Sequence, residues 1–411
     1  MTDTIVIGAG LAGLTASIRL AESGQSVTLL SFGEGGLPLS QGTIDVLGYV
    51  ENQPVRAPFA EMSGFIKGHP DHPYSRIAPT AIAAAISWFT DETVGLLQPR
   101  DESNHLVPTS LGAMRPTHLV PPSMVFPVVP RYAVVGIQQI KDFSPGLIAE
   151  NLAQTAKIET CPYWIDLPAR PGEVDSSPVH YAQALDNPDF LSRFVDKISA
   201  TMKDEEAVLL PAILGLTENV HSQLVEALQR PVVEVIMAPP SSPGMRLNNQ
   251  LTRRAKELGV RVVLGSKVTG FTATKDHVTS VTLHQAGCDQ TYSSDNVIYA
   301  GGGFESGALV VDSYGNVRET LFDLPLAGAD RLDLITGEYW EPQPLFEVGV
   351  QVDASMRAVD PGKPKKPIYR NLYAVGGLLT GAQRWIEKSG DGIAIASAYQ
   401  AAESILGGDR S

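Results

Sequence analysis

The sequence has 411 residues, of which 43% are hydrophobic, and its formal net charge at pH 7 is -14. This length is sufficient for two domains with full cores. The acidic balance argues against nucleic acid or an anionic membrane surface as the main partner, although clustered cations could still bind a small anionic substrate. The two cysteines, Cys161 and Cys288, lie far apart without a CxxC motif, so the sequence carries no iron–sulfur, zinc or disulfide signature.

No basic and apolar signal segment precedes the first predicted strand. The longest apolar runs, residues 81–89 and 207–216, reach only about half the length of a membrane span. We therefore expect a cytoplasmic protein without a membrane span of its own. Such a protein can still lie at the inner face of the cell membrane through a partner.

The first predicted elements are a strand at Thr4–Ile7, a glycine turn at Gly8–Gly13, a helix, and a second strand at Val27–Leu30. This order is typical of a dinucleotide-binding fold, in which the three glycines permit a tight turn, approach of a pyrophosphate and close helix packing. The phosphates would lie at the helix N-terminus. The alternative is a plain glycine turn. The predicted cofactor contacts are Gly8, Ala9, Gly10, Leu11, Ala12 and Gly13.

The second strand of such a fold normally ends in Asp or Glu, which holds the ribose hydroxyls of the adenosine. Here that position is Ser31, and Glu34 follows three residues later. Loss of one charged hydrogen bond costs about 1.5–3 kcal/mol, which is a small part of a tight FAD complex. We therefore predict FAD as the cofactor, with Ser31 at the ribose, and keep FMN as the alternative.

A Gly- and Ser-rich segment follows the second strand, from Gly33 to Gly48. We predict that it runs back past the flavin, where small residues let the backbone approach the ring. The alternative is a flexible surface loop. The predicted cofactor contacts in this segment are Ser40, Gln41, Gly42 and Thr43.

Residues 49–244 are predicted to form an inserted α+β substrate domain, to which 305–368 could add, while 1–48 and 245–411 form the Rossmann-like flavin domain. The insertion is expected to contain a helix at Pro79–Val94, strands near 132–137 and 232–237, and a core strand or helix at 207–216. His72 lies in a Pro-punctuated turn. Arg115 and His118 are predicted on a constrained loop.

After the insertion the chain is predicted to return to the first domain. The predicted elements are a helix ending at Gly259, a strand at 260–264, a β-hairpin or meander over 268–284 and a strand at 296–300, which leads into a glycine turn with Gly301 and Gly302. That turn would let the chain pass close to the cofactor, whereas a tight crossover is the alternative.

The last predicted elements are a glycine-ended strand at 371–377 and an apolar helix that opens at 389–392. The N-terminus of this helix is expected to point at the pyrimidine edge of the flavin. Asp391 would bond a ribityl hydroxyl or cap the helix. Arg384 and Lys388 lie between strand and helix and suit an anionic substrate, with a solvated basic loop as the alternative. The predicted cofactor contacts are Gly376, Gly377, Gly390, Asp391, Gly392 and Ile393.

The whole sequence resembles the B subunits of anaerobic glycerol-3-phosphate dehydrogenases, a family within the wider FAD-binding oxidoreductase group. The segments that carry this resemblance are the Gly8–Gly13 turn, Ser40–Asp45, His72–Ser75, Thr109–Arg115, 136–143, Met245–Leu251 and the closing strand and helix. The charged Gln383–Ser389 segment departs from the family pattern, and this departure concerns the substrate more than the flavin. The family is also associated with FMN.

The resemblance implies flavin-dependent oxidation of sn-glycerol 3-phosphate to dihydroxyacetone phosphate. Electrons would pass to a quinone through iron–sulfur and second flavoprotein subunits of a membrane-associated complex. Oxidation of a secondary alcohol needs a base, a hydride acceptor and cations for the phosphate. We predict His118 or His72 as the base and Arg115, Arg384 and Lys388 as the phosphate ligands. A non-catalytic electron-transfer subunit, or a flavoenzyme for another small anionic substrate, remains the alternative.

Overall fold

The computed structural model describes residues 2–99, 101–217, 219–285, 287–338 and 341–408. The α-helices are numbered in chain order and are α1 Leu11–Glu22, α2 Pro58–Gly68, α3 Pro79–Glu92, α4 Pro145–Thr155, α5 Pro178–Leu185, α6 Pro188–Thr201, α7 Asn219–Leu228, α8 Ser242–Glu257, α9 Arg384–Glu387 and α10 Gly390–Gly408.

The strands of the first half of the chain are β1 Thr2–Ile7, β2 Val27–Leu30, β3 Tyr49–Val50, β4 Gln53–Pro54, β5 Gln98–Pro99, β6 His105–Pro108, β7 Met114–Thr117, β8 Leu119–Val120, β9 Arg131–Ile137, β10 Glu159–Ile165, β11 Ala207–Pro211 and β12 Val232–Val235. Those of the second half are β13 Arg261–Val263, β14 Lys267–Thr274, β15 His277–Gln285, β16 Cys288–Tyr299, β17 Leu309–Val311, β18 Val317–Glu319, β19 Leu326–Ala327, β20 Gly349–Val352, β21 Ala358–Asp360, β22 Lys363–Pro367 and β23 Leu372–Ala374.

A seven-stranded sheet forms the centre of the first compact unit, in the order β13-β2-β1-β16-β15-β14, with β23 also paired to β16. The strands β13, β2, β1, β16 and β23 are parallel, whereas β14 and β15 form an antiparallel meander with the first half of β16. Ile5, Val6 and Leu29 are fully buried, as expected for strands covered on both faces. The predicted α/β dinucleotide-binding fold is therefore present.

Helix α10 is buried against both α1 and α3 in this unit. It is apolar on nearly every face, with Ile395 and Ala398 fully buried, and such a helix is stable only inside a core. Trp88 of α3 packs on Tyr399 of α10 at a ring distance of 5.5 Å, and its Nε1 donates a 2.9 Å hydrogen bond to Glu22 at the end of α1. These contacts tie α3 to the first unit.

The chain divides into two compact units, one made of residues 1–36, 45–92 and 250–411, and the other of 37–44 and 93–249. The predicted insertion starts at residue 49, so the segment 49–92 falls in a different unit from the one expected. The physical reason is the apolar face of α3, which packs on α10 instead of on the second unit's core.

The second unit has its own parallel sheet, in the order β10-β9-β11-β12. Its core includes Tyr132, Val134, Phe194 and Leu209, none of which is more than 1% exposed. The run 207–216, predicted as a strand or helix, forms strand β11 over Ala207–Pro211. The unit also contains the antiparallel pairs β5-β8 and β6-β7.

The structure corrects the predicted loop at 111–118. Met114–Thr117 is strand β7, paired with β6 around a tight turn in which Gly112 has a φ of 73°. Pro116 favours a loop at first sight, but proline is compatible with edge strands, and both strands of a two-stranded pair are edges. Arg115 therefore extends from a hairpin strand.

Candidate functional site

The glycine turn between β1 and α1 brings three backbone segments into close contact. Gly8 has a φ of 110°, and a Cβ there would collide with the carbonyl oxygen of Ala300 at the end of β16. A Cβ on Gly13 would collide with the carbonyl oxygen of Gly8. Only glycine fits at these two positions, so the turn is pressed against the carboxyl ends of two parallel strands, where open α/β sheets bind ligands.

Gly10 differs from its neighbours because it faces open space. It is the N-cap of α1, with a φ of -77° and no side-chain capping hydrogen bond, and a Cβ built on it would meet nothing within 4 Å. The first-turn N–H groups of a helix need acceptors, and phosphate oxygens are suitable ones. The turn therefore fits the pyrophosphate of a dinucleotide.

Ser31 is used inside the protein instead of facing outward. It is only 9% exposed, and its Oγ accepts a 3.2 Å hydrogen bond from the N–H of Ala9 and donates a 2.7 Å bond to the carbonyl of Gly33. The following loop also lies on the turn, since a Cβ on Gly35 would be 2.5 Å from the Cα of Gly10. The hydroxyl predicted at the ribose thus fastens the end of β2 to the glycine turn.

The segment with Ser40, Gln41, Gly42 and Thr43 belongs to the second unit, whereas the residues that follow it, 45–48, belong to the first. Residues 42–48 are buried, so the alternative of a flexible surface loop does not hold for them. With the Gln41 amide oriented to satisfy its neighbours, its oxygen accepts from both terminal nitrogens of Arg115 at 3.0 Å. The structure thus joins a predicted cofactor residue to a predicted phosphate ligand.

His118 is buried in the second unit, with 3% exposure. Desolvation, followed by the nearby His105, lowers the pKa of His118 to about 4. The ring is therefore neutral near pH 7. A general base works best when its pKa lies near the operating pH, so this imidazole is a weak base in its present surroundings.

Arg384 lies at the two glycine ends that the sequence predicted beside the cofactor. A Cβ on Gly377 would collide with its Nη1, and a Cβ on Gly303 would lie 3.1 Å from its Nη2. Its Nη1 is 3.4 Å from Oε1 of Glu305. The residue belongs to the one-turn helix α9, and Lys388 is the left-handed C-cap of that helix, with a φ of 51°. The predicted basic loop is thus a defined helical turn.

The N-terminus of α10 is held by the segment that follows Ile44. The N–H of Gly392 donates to the carbonyl of Asp45 at 2.8 Å, and the N–H of Asp45 donates to Oδ2 of Asp391 at 3.1 Å. Asp391 is the second residue of α10, so it does not occupy the N-cap position, which was one of its two predicted roles. Its carboxylate instead fixes the neighbouring segment to the helix.

His72 is fully buried next to this helix start. Its Nδ1 accepts the N–H of Tyr74 at 3.1 Å, which leaves Nε2 to donate to Oε2 of Glu387 at 3.2 Å. Glu387 also accepts from Ser389 Oγ at 2.7 Å and from the N–H of Gln383 at 2.9 Å. Both ring nitrogens of His72 are engaged, and this favours a positioning role over that of a base.

Sequence reasoning missed Glu387, Tyr74 and Asp45. Tyr74 is fully buried and its Oη donates a 2.7 Å hydrogen bond to the carbonyl of Val46. Burial first, and then the nearby Glu387, Asp391 and Asp45 carboxylates, raise its pKa well above the ordinary value. Asp45 and Tyr74 both lie within segments that carry the family resemblance, which was the available signal.

Comparison with protein families matches residues 3–393 to the family described as an FAD binding domain. Among curated proteins, the chain is 32% identical to the B subunit of anaerobic glycerol-3-phosphate dehydrogenase from Pasteurella multocida, over 98% of this chain and 99% of that protein. The chain belongs to this family of B subunits. The member from Yersinia enterocolitica is 31% identical over 98% of each chain. FAD is the cofactor of the matched domain, in agreement with the prediction.

Two solved structures can be superimposed on nearly the whole chain, at low sequence identity. The 3-ketosteroid delta1-dehydrogenase of Sterolibacterium denitrificans covers 99% of both chains, with a TM-score of 0.47 and 11% identity. The quinol fumarate reductase of E. coli covers 99% of this chain and 70% of its own, with a TM-score of 0.46 and 10% identity.

Membrane-spanning helices and metal-binding clusters are both missing from the described residues. None of the helices in the described ranges combines the length and hydrophobicity needed to cross a bilayer. Within the same ranges, no three His, Cys, Asp or Glu side chains are grouped so that they could hold a metal ion. Cys161 and Cys288 are both free thiols.

Proposed function

We propose that this FAD-dependent oxidoreductase oxidises sn-glycerol 3-phosphate to dihydroxyacetone phosphate and passes the electrons to a quinone through an iron–sulfur partner subunit. The observation that carries the proposal is the position of the Arg384 guanidinium, which lies against Gly303 and Gly377, the glycines that follow β16 and β23, in the unit that also contains the Gly8–Gly13 turn. The relatives' names add the substrate and the membership in a multi-subunit enzyme.

The residues of the chain have two tasks in this reaction, to bind the phosphate and to accept the hydroxyl proton. When bound, the flavin supplies the acceptor for the substrate's hydride. Arg384 and Lys388, both in the first unit, are the proposed ligands of the phosphate, since guanidinium groups bind phosphate oxygens in pairs and ammonium groups act as point charges. Arg115, in the second unit, stays a prediction as a further phosphate ligand. His118 remains a proposed base, and its low pKa would have to rise, as a nearby negative charge such as that of the phosphate would make it do.

One observation favours a second candidate function, that of an electron-transfer subunit. His118 has a pKa of about 4 and His72 has both nitrogens in internal hydrogen bonds, so neither predicted base is poised for proton abstraction. A subunit that only relays electrons needs no such base.

Anaerobic mixing of the purified flavin-loaded chain with glycerol 3-phosphate separates the two functions. Loss of the oxidised flavin's visible absorbance, with formation of dihydroxyacetone phosphate, supports direct catalysis. If the absorbance persists until a partner dehydrogenase subunit is added, the chain is a relay. Alanine in place of Arg384 or Arg115 should then raise the Michaelis constant, and unchanged constants in both variants would remove these residues from the site.

A further inference from the structure

We propose that Glu305 is a displaceable counter-ion: it pairs with Arg384 when no substrate is bound, and the anionic group of the substrate takes its place. This inference rests on the proposed role of Arg384 in anion binding. It adds a residue that sets the affinity and selectivity of that site.

The Arg384 guanidinium lies against backbone, at two glycines that follow neighbouring strands. Strands β16 and β23 are parallel neighbours, with Tyr299 paired to Ala374 near their carboxyl ends. The chain then continues through Gly303 and Gly377, and a Cβ on either residue would press on the Arg384 guanidinium. Two glycines thus make room for one cation at the edge of the sheet where ligands bind in this class of fold.

The two partners of the ion pair are held unequally. The Arg384 side chain is 24% exposed and rests on the two glycine turns, whereas the Glu305 side chain is 62% exposed. Their closest nitrogen and oxygen atoms are 3.4 Å apart, at the long end of the hydrogen-bond range. The carboxylate is therefore the partner that can leave, while the guanidinium stays in place.

The exchange is favourable on chemical grounds. An exposed ion pair contributes little, because water and salt screen it. A phosphate group offers several oxygens and can accept two parallel N–H bonds from one guanidinium, which is a stronger interaction. Glu305 also sits on the short 3₁₀ helix Phe304–Ser306, so its side chain can turn toward solvent without moving a long element. Removal of the competing carboxylate should therefore tighten anion binding.

The test is calorimetric titration of inorganic phosphate into the flavin-loaded protein at constant ionic strength. Four proteins are compared: the unaltered chain, Glu305→Gln, Arg384→Met, and Glu61→Gln. Glu61 is an exposed carboxylate of α2 in the same unit and is the matched control for loss of one negative charge. We expect the dissociation constant of phosphate to fall about 2- to 5-fold in Glu305→Gln, to stay unchanged in Glu61→Gln, and to rise about 10-fold or more in Arg384→Met.

Three results would overturn the inference: unchanged or weaker phosphate binding in Glu305→Gln, an equal gain in Glu61→Gln, or no phosphate binding to either the unaltered chain or Glu305→Gln. Flavin reduction by glycerol 3-phosphate is measured separately on the same proteins. If Glu305→Gln binds phosphate no more tightly but glycerol 3-phosphate still reduces the flavin, only the role of Glu305 fails. If phosphate binding tightens as expected and no reduction occurs, the counter-ion role holds and the proposed substrate fails.

Discussion

Substitution of Glu387 by Gln should destabilise the first unit and weaken its hold on the flavin. The carboxylate is 13% exposed and accepts from His72, Ser389 and the N–H of Gln383. A glutamine amide offers one oxygen and one NH₂ group in place of two carboxylate oxygens. At least one of the three donor groups would therefore face the NH₂ group, which is itself a donor. Loss of one charged hydrogen bond costs about 1.5–3 kcal/mol, and we expect a loss of unfolding free energy of that size.

The assay is urea unfolding followed by far-ultraviolet circular dichroism, with flavin release as a second signal for the first unit. The control is Glu61→Gln, which should change the unfolding free energy by no more than about 0.5 kcal/mol, as surface substitutions usually do. We also expect faster flavin release from Glu387→Gln, because the Glu387 carboxylate accepts from Ser389, the residue that directly precedes α10, and so helps to hold the start of that helix. A variant as stable as the control, with an unchanged flavin dissociation constant, would refute the proposed role.

Three further predictions concern pH, a buried ion pair and the glycine turn. Burial raises the pKa of Glu387, but hydrogen bonds from His72 and Ser389 outweigh this effect and lower the pKa below 4.5. The stabilisation by the ionised carboxylate is therefore complete above pH 4.5 and is lost as the pH falls through the lower pKa of the folded state. The melting temperature of Glu387→Gln should consequently fall less steeply in acid than that of the unaltered chain. Glu234 is fully buried, pairs with Arg246 and also accepts from Ser123 and from the N–H of Leu214, so Glu234→Ala should cost about 3–5 kcal/mol in urea unfolding, and a variant as stable as the unaltered chain would contradict this. Gly10→Val should fold normally, because a side chain at this position meets no protein atom, but it should purify without flavin, because that side chain would fill the space proposed for the pyrophosphate. Stoichiometric flavin in this variant would contradict the proposed pyrophosphate site.

The local elements could be predicted because each is specified by a short pattern. Strand β1, the glycine turn and α1 follow from adjacent residues, and the apolar run of α10 predicts its burial whatever it packs on. The placement of α3 could not be predicted in this way. Its apolar face is equally compatible with either unit's core, and only the three-dimensional fit to α10 decides between them.

The residues of the site show the same difference between features set by a short local pattern and features set by the three-dimensional fold. Gly8 and Gly13 were predictable because their backbone roles are tied to the motif itself. The hydrogen bond from Ala9 to Ser31 and the pairing of Arg384 with Glu305 join residues that are distant in sequence, and residue type alone does not reveal such partners. His72 shows the same limit, since an exposed and a fully engaged histidine look identical in a sequence.

Identification of the flavin that is released on denaturation tests whether the glycine turn binds a pyrophosphate. An uncapped helix start and open space at Gly10 suit a pyrophosphate, which FAD has and FMN lacks. Ser31 stands where this fold normally has Asp or Glu, so the ribose lacks a charged acceptor, at a cost of about 1.5–3 kcal/mol or one to two decades of affinity, and the Ser31 hydroxyl is already bonded to Ala9 and Gly33. That cost leaves a tight complex possible, and we expect mass spectrometry of the released cofactor to show FAD. The control is purification with phosphatase inhibitors, under which added FAD should be recovered intact. If FMN alone is then detected, the turn binds no pyrophosphate, and the hydrogen bonds of Ser31 mark the loss of the adenosine site.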